Sequence, residues 1–209
     1  MKIILIHGMI LPAGLNFYLL ERHLNKNGYN DIHKLSYDSL SMSLDKAYMY
    51  CYQQIIHILA EDLFEPIILI GYSFGGIIAY KLLDTYLNTK LAIFVASPLK
   101  SCNYLDNLPS FFKKTVAYFE IPAITDLSDR KFKEIKPPEI PYYTITAGLV
   151  WNQEFDGKVY KQDAVIEENR NIHIGYSSHF MLTIDRRCFR EITRIIEKEI
   201  KNEQKKFVC

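Results

Sequence analysis

The segment Gly71-Tyr72-Ser73-Phe74-Gly75-Gly76 sets a serine between glycines two positions away on either side, directly after the apolar run Ile67-Ile68-Leu69-Ile70. A serine hydroxyl is a poor nucleophile at neutral pH. It becomes useful only where a base can take its proton and where hydrogen-bond donors stabilise the charge that develops on its target. The pattern G-x-S-x-G arises by chance in roughly one chain of this length in fifteen, so alone it decides little. Its setting decides more, because an apolar strand leads into it and a helix-forming stretch leads out, the strand–turn–helix context that a nucleophile elbow requires. The turn forces Ser73 into a strained backbone conformation, and the flanking glycines leave room for strand and helix to approach. A glycine-rich phosphate-binding turn would need G-x-G-x-x-G or G-K-[ST], and neither is present.

A base and an acid that orients it must reach the same edge. In sites built on such an elbow they follow the serine in the order acid, then histidine. Of the six histidines, His7, His23, His33 and His57 precede Ser73. His173 falls inside the short β-rich run Asn171 to Ile174, whereas His179 lies in a loop between that run and the last helix, where a base can reach over a sheet edge. Candidates for the acid follow the run Tyr142 to Ala147: Glu154, Asp156, Asp163, Glu167 and Glu168. Glu167 and Glu168 read as a solvated face, and Asp163 as the start of a short helix. Asp156 precedes Gly157 in a turn able to aim its side chain across the edge, although an ordinary Asp-Gly turn has the same sequence. The oxyanion donors expected are the main-chain N–H groups of Phe74, next to the nucleophile, and of Met9, in the loop His7-Gly8-Met9 after the first strand. His7 is expected to order that loop and to take no part in proton transfer.

Strands must place these residues on one edge. Ile3 to Ile6, Ile32 to Tyr37, Ile67 to Ile70, Leu91 to Ala96, Tyr142 to Ala147 and Asn171 to Ile174 read as strands. Helical spacing fills the intervals: Phe17, Leu20 and Leu24; Asp45 to Leu63; Phe74 to Leu87; and Arg186 to Lys201. Strands that are apolar throughout and alternate with helices imply a mostly parallel sheet covered on both faces. The chain is expected to form one domain over residues 1–209, with an insert or lid at about 98–141. The aromatic Phe111, Phe112 and Phe119 of that insert are expected to contact substrate.

The sequence resembles the small α/β-hydrolase lipases and esterases, including the bacterial minimal lipases and the deacylases related to glycosylphosphatidylinositol-inositol deacylase. His7-Gly8-Met9 resembles the family's oxyanion loop, Gly71 to Gly76 its elbow, Ser97-Pro98 a Ser/Thr-Pro pair after the next strand, and His179-Phe180 with Leu182 its base loop. Asp126-Leu127-Ser128, followed by Pro141 to Ile145, resembles the approach to the acid-bearing strand. Asp156-Gly157-Lys158-Val159 with Ala164 resembles a D-G-x-V segment whose Asp is the acid, which implies Asp156 over Asp163. One departure is the segment Leu149 to Phe155, longer and more aromatic than the family pattern. The resemblance implies an α/β-hydrolase fold and a cofactor-free serine hydrolase acting on carboxylic esters through Ser73, His179 and Asp156. A thioesterase using the same residues, or a catalytically silent binding module on the same fold, are the alternatives.

Composition narrows the partners. A net charge of +1 provides no field for nucleic acid. The four cysteines form no C-x-x-C pair, so neither a structural zinc site nor a dithiol redox motif is expected, and reduced thiols fit a cytoplasmic setting. The apolar start is too short for a signal peptide, no run suits a transmembrane helix, and Cys209 as last residue does not make a prenylation box. A small-molecule or lipid ester is the partner expected, with no metal; the sequence is silent on oligomeric state.

Overall fold

The computed structural model describes residues 1–9, 13–100 and 135–206. Most of the proposed insert, with Phe111, Phe112 and Phe119, lies outside the described residues. Six strands form one sheet in the order β2-β1-β3-β4-β5-β6. They are β1 Lys2–Ile6, β2 Ile32–Leu35, β3 Ile67–Tyr72, β4 Thr89–Val95, β5 Tyr142–Gly148 and β6 Asn171–Gly175. Every neighbouring pair is parallel.

Alternation along the strands divides the core between two faces. Ile3, Leu5, Ile68, Ile70 and Ile93 pack with Phe17, Leu20 and Leu24 and with Phe189, Ile192, Ile195 and Ile196. These come from around α2 Tyr18–Lys26, which follows the short α1 Ala13–Asn16, and from the last helix. Ile4, Ile6, Leu69, Ala92 and Phe94 pack on the other face with α3 Leu44–Ile58 and α4 Phe74–Leu82. The chain closes with α5 Lys161–Ala164 and α6 Arg186–Lys206. Ser43 caps α3 by accepting the Lys46 N–H. No helix of the described residues is long and apolar enough to cross a membrane. This open parallel sheet with helices on both faces is the architecture expected from the sequence.

Strand order reverses direction between β1 and β3, since the chain runs outward one way to β2 and the other way through β4, β5 and β6. Ligands in open α/β sheets bind at such a switch point, outside the C-terminal ends of the strands. Among the described residues, three non-glycine residues with positive φ lie on that edge: Ser73 after β3, Ala96 after β4 and Tyr176 after β6. Such conformations cost about 1–3 kcal/mol each and gather at functional sites.

Close packing fixes the first turn of α4. A Cβ on Gly75 would lie 2.1 Å from the Ile6 carbonyl oxygen and 2.4 Å from that of His7, so only glycine lets the helix press against the end of β1. Gly14, in α1, has nothing within 4 Å of the same position. Gly75→Ala is therefore expected to destabilise the protein by about 3 kcal/mol or more. Gly14→Ala should be neutral or stabilising by up to about 1 kcal/mol. Urea unfolding of both variants checks the contrast.

Candidate active site

The loops at the C-terminal edge bring Ser73, His179 and Asp156 into one chain of hydrogen bonds. Ser73 follows β3 with φ 53° and ψ −120°, its N–H donating to the Val95 carbonyl at 2.8 Å. Its side chain is held out at the head of α4, with Oγ 3.0 Å from His179 Nε2. His179 Nδ1 lies 2.9 Å from Asp156 Oδ2. An ionised carboxylate only accepts, so both contacts are made at once when the proton sits on Nδ1 and the Nε2 lone pair faces the serine hydroxyl.

Asp156 is held from several sides. Its Oδ1 accepts from the N–H groups of Lys158 at 2.8 Å and Val159 at 2.7 Å. Its main-chain carbonyl accepts from His179 N–H at 2.7 Å, so the two loops are tied by backbone as well as by side chain. Asp156 and His179 are 2% and 5% exposed. A carboxylate withdrawn from water but receiving three hydrogen bonds keeps a fixed direction.

The long segment before Asp156 explains its aim. From β5 the chain turns out through Leu149 to Phe155 and closes on itself, with Leu149 N–H donating to the Phe155 carbonyl at 3.0 Å and Gln153 Nε2 to the Leu149 carbonyl at 2.6 Å. The Phe155 and Tyr160 rings meet at 4.5 Å across its base, while Trp151 is left 80% exposed at its tip. The extra length is thus a self-closed excursion that returns the chain to the strand end.

The other candidates lie elsewhere. Asp163 is in α5, buried, with its carbonyl accepting the Lys100 N–H at 2.8 Å. Glu154 is exposed; Glu167 accepts from the Tyr142 hydroxyl; Glu168 pairs with Lys161. His173, on β6, is exposed and lies within hydrogen-bond distance of Thr146.

The loop after β1 lies against the serine. A Cβ on Gly8 would sit 3.0 Å from Ser73 Cβ. His7 is buried and stacks on the Tyr37 ring at 4.2 Å. Its Nδ1 is 2.6 Å from the Gly8 carbonyl and its Nε2 accepts the Tyr37 N–H at 3.4 Å. Burial pushes the His7 pKa below 6.5, and a neutral ring satisfies both contacts. Met9 follows, half-buried against the core. Phe74 is the first residue of α4, so its N–H is among the donors that a helix leaves without an intrahelical acceptor.

Two contributors were not foreseen. The Tyr72 hydroxyl donates to the His179 carbonyl at 2.6 Å, and its ring lies 5.2 Å from the imidazole. Burial drives its pKa upward, which keeps it a donor. Tyr72 occupies the unspecified second position of G-x-S-x-G, so the pattern carried no signal for it. Tyr37, donating its hydroxyl to the His7 carbonyl, was likewise seen only as a strand residue.

Comparison with solved structures places the fold. A lipase from Bacillus licheniformis in its mature form superposes with a TM-score of 0.69 at 17% identity, over 87% of this chain and 86% of its own. A lipase-esterase related protein from Clostridium acetobutylicum gives 0.62 at 16% identity, over 93% of each chain. A thermophilic esterase from Thermogutta terrifontis gives 0.64 at 11% identity, over 95% of this chain and 90% of its own. No family model matches the sequence, and no curated protein matches it. Strand order, two-sided helical cover and these superpositions together establish the α/β-hydrolase fold.

Proposed function

We propose that this protein is a serine hydrolase that cleaves carboxylic esters through a covalent acyl-enzyme. The observation that carries the reading is the unbroken relay from Ser73 Oγ to His179 at 3.0 Å and from His179 to Asp156 at 2.9 Å. Its position at the switch point of an α/β-hydrolase sheet adds to it. So does the fold shared with lipases and esterases.

In this reading Ser73 Oγ attacks the ester carbonyl while His179 Nε2 takes the hydroxyl proton. The carbonyl oxygen becomes an oxyanion held by the N–H groups of Phe74 and Met9. Collapse breaks the bond to the alcohol, which leaves with the proton from His179, and the acyl group stays on Ser73. Water, deprotonated by His179, attacks the acyl carbonyl in turn and releases the acid with Ser73 restored. Asp156 holds the imidazole in the Nδ1–H form and stabilises the imidazolium of each transition state. No cofactor enters any step. The complete relay argues against a catalytically silent module, whereas ester and thioester substrates draw on the same groups. The kinship to the inositol deacylases rests on the sequence motifs alone.

Ser73→Ala is expected to lower hydrolysis of short nitrophenyl esters by roughly three orders of magnitude or more, with an unchanged circular-dichroism spectrum. Retention of most of the activity would remove Ser73 from the mechanism. Asp156→Asn should lose about ten-thousand-fold in kcat, because the amide favours the wrong imidazole tautomer. Asp163→Asn should stay within about tenfold of the parent, since Asp156 is the carboxylate on Nδ1. Equal losses in steady-state assays would transfer the orienting role away from Asp156.

A further inference from the structure

Exposed apolar side chains crowd one sector of the edge that carries Ser73. Leu15, Tyr18 and Leu19, around the start of α2, all face solvent. So do Phe180, Met181 and Ile184, between His179 and α6. The two groups are neighbours, because the buried Asn16, Phe17 and Leu20 between the first share a wall with Leu182 and Thr183 between the second. The sector reaches the relay itself, where the Phe180 ring stands edge-on to the His179 imidazole at 5.7 Å. Single exposed apolar residues are ordinary, whereas a contiguous group bordered by charge marks an interaction surface.

A layer of cations lies behind this apolar front. α2 and α6 both start at the Ser73 edge and run back along the same face of the sheet. Arg22 follows Leu19 by three residues, about 5 Å along the helix axis, and Arg186 and Arg190 occupy the first two turns of α6. All three are exposed, as is Lys26. Burial, and then the positive charges of Arg190 and Lys26, lower the His23 pKa below 6.5, so cations from the two helices converge there.

These cations are not neutralised. Arg22, Lys26, Arg186 and Arg190 make no ion pair among the described residues. The acids beside them are engaged with other partners: Glu21 with Lys34 at 2.6 Å, Asp185 with Arg187 at 2.7 Å and Glu191 with Arg194 at 2.6 Å. The result is a local positive charge on a chain whose net charge is only +1. Apolar tips with arginines one turn behind, on two adjacent helices, follow the order in which an anionic bilayer offers hydrocarbon and phosphate.

We propose that this sector is a docking surface for an anionic phospholipid bilayer. The apolar side chains enter the acyl boundary, and Arg22, Arg186 and Arg190 lie among the phosphates. The docked protein turns its Ser73 edge toward the lipid. Docking requires no catalysis, so it stands or fails apart from the proposed hydrolysis.

The test is flotation of the full-length protein with vesicles of ether-linked phospholipids, which carry no ester to cleave. Vesicles of phosphatidylcholine with phosphatidylglycerol should carry the protein, about tenfold or more better than phosphatidylcholine alone, and added salt should weaken the binding. Arg22→Gln and Arg190→Gln should each weaken it about fivefold, the worth of one cation at a charged surface. Leu15→Gln combined with Leu19→Gln should weaken it about tenfold or more. Tyr86→Gln, at an exposed position on the opposite edge, should leave it unchanged. Circular dichroism verifies that each variant is folded. The proposal is overturned by no binding to the mixed vesicles, by equal binding to phosphatidylcholine alone, or by a loss with Tyr86→Gln equal to that with the leucine pair. Self-association that the leucine substitutions abolish, without vesicle binding, would assign the surface to a second copy of the chain and overturn it as well.

Discussion

The turn at Ser73 is the constraint around which the described structure is arranged. To leave β3 and enter α4 within one residue, the chain accepts a positive φ at a residue that bears a side chain. The cost, about 1–3 kcal/mol, is offset by the Ser73 N–H bond to Val95 and by the apolar face that α4 buries on the sheet. Gly75 makes the geometry possible, because any side chain there would drive the helix off the end of β1. Once the turn is fixed, Ser73 Oγ stands above the strand ends and the loop after β1 lies beside it, so two further groups need only be delivered to the same edge.

That delivery uses backbone ties more than side-chain ones. The His179 N–H bond to the Asp156 carbonyl and the Ser177 N–H bond to the Gly148 carbonyl lock the His179 loop to β5 and the Asp156 loop. The Tyr72 hydroxyl fastens the His179 loop to the strand that leads into Ser73. Side chains without such ties would pay rotamer entropy to meet; here Ser73, His179 and Asp156 are held in contact.

Much of the architecture was legible in the sequence because strands buried on both faces read as unbroken apolar runs. Boundaries were less so. The helix read as Phe74 to Leu87 ends at Leu82, since Leu83, Asp84 and Thr85 donate to carbonyls three residues back and close as turns. The helix read to Leu63 ends at Ile58 for a similar reason, with Ala60 donating to His57 and Asp62 to Leu59. Order and loop placement singled out His179. The residues alone left Asp156 and Asp163 open, because both follow β5 and nothing in a linear pattern shows that Leu149 to Phe155 closes on itself. The Tyr72 contact depends on packing, which leaves no linear trace.

The central claim is that Ser73 is activated by His179, and a fluorophosphonate probe tests it most directly because it reacts with an activated serine whatever the natural substrate. Peptide mass spectrometry after labelling is predicted to find a single adduct on Ser73, lost in a folded His179→Ala variant. An unlabelled Ser73, or an adduct that forms equally fast without His179, would contradict the account.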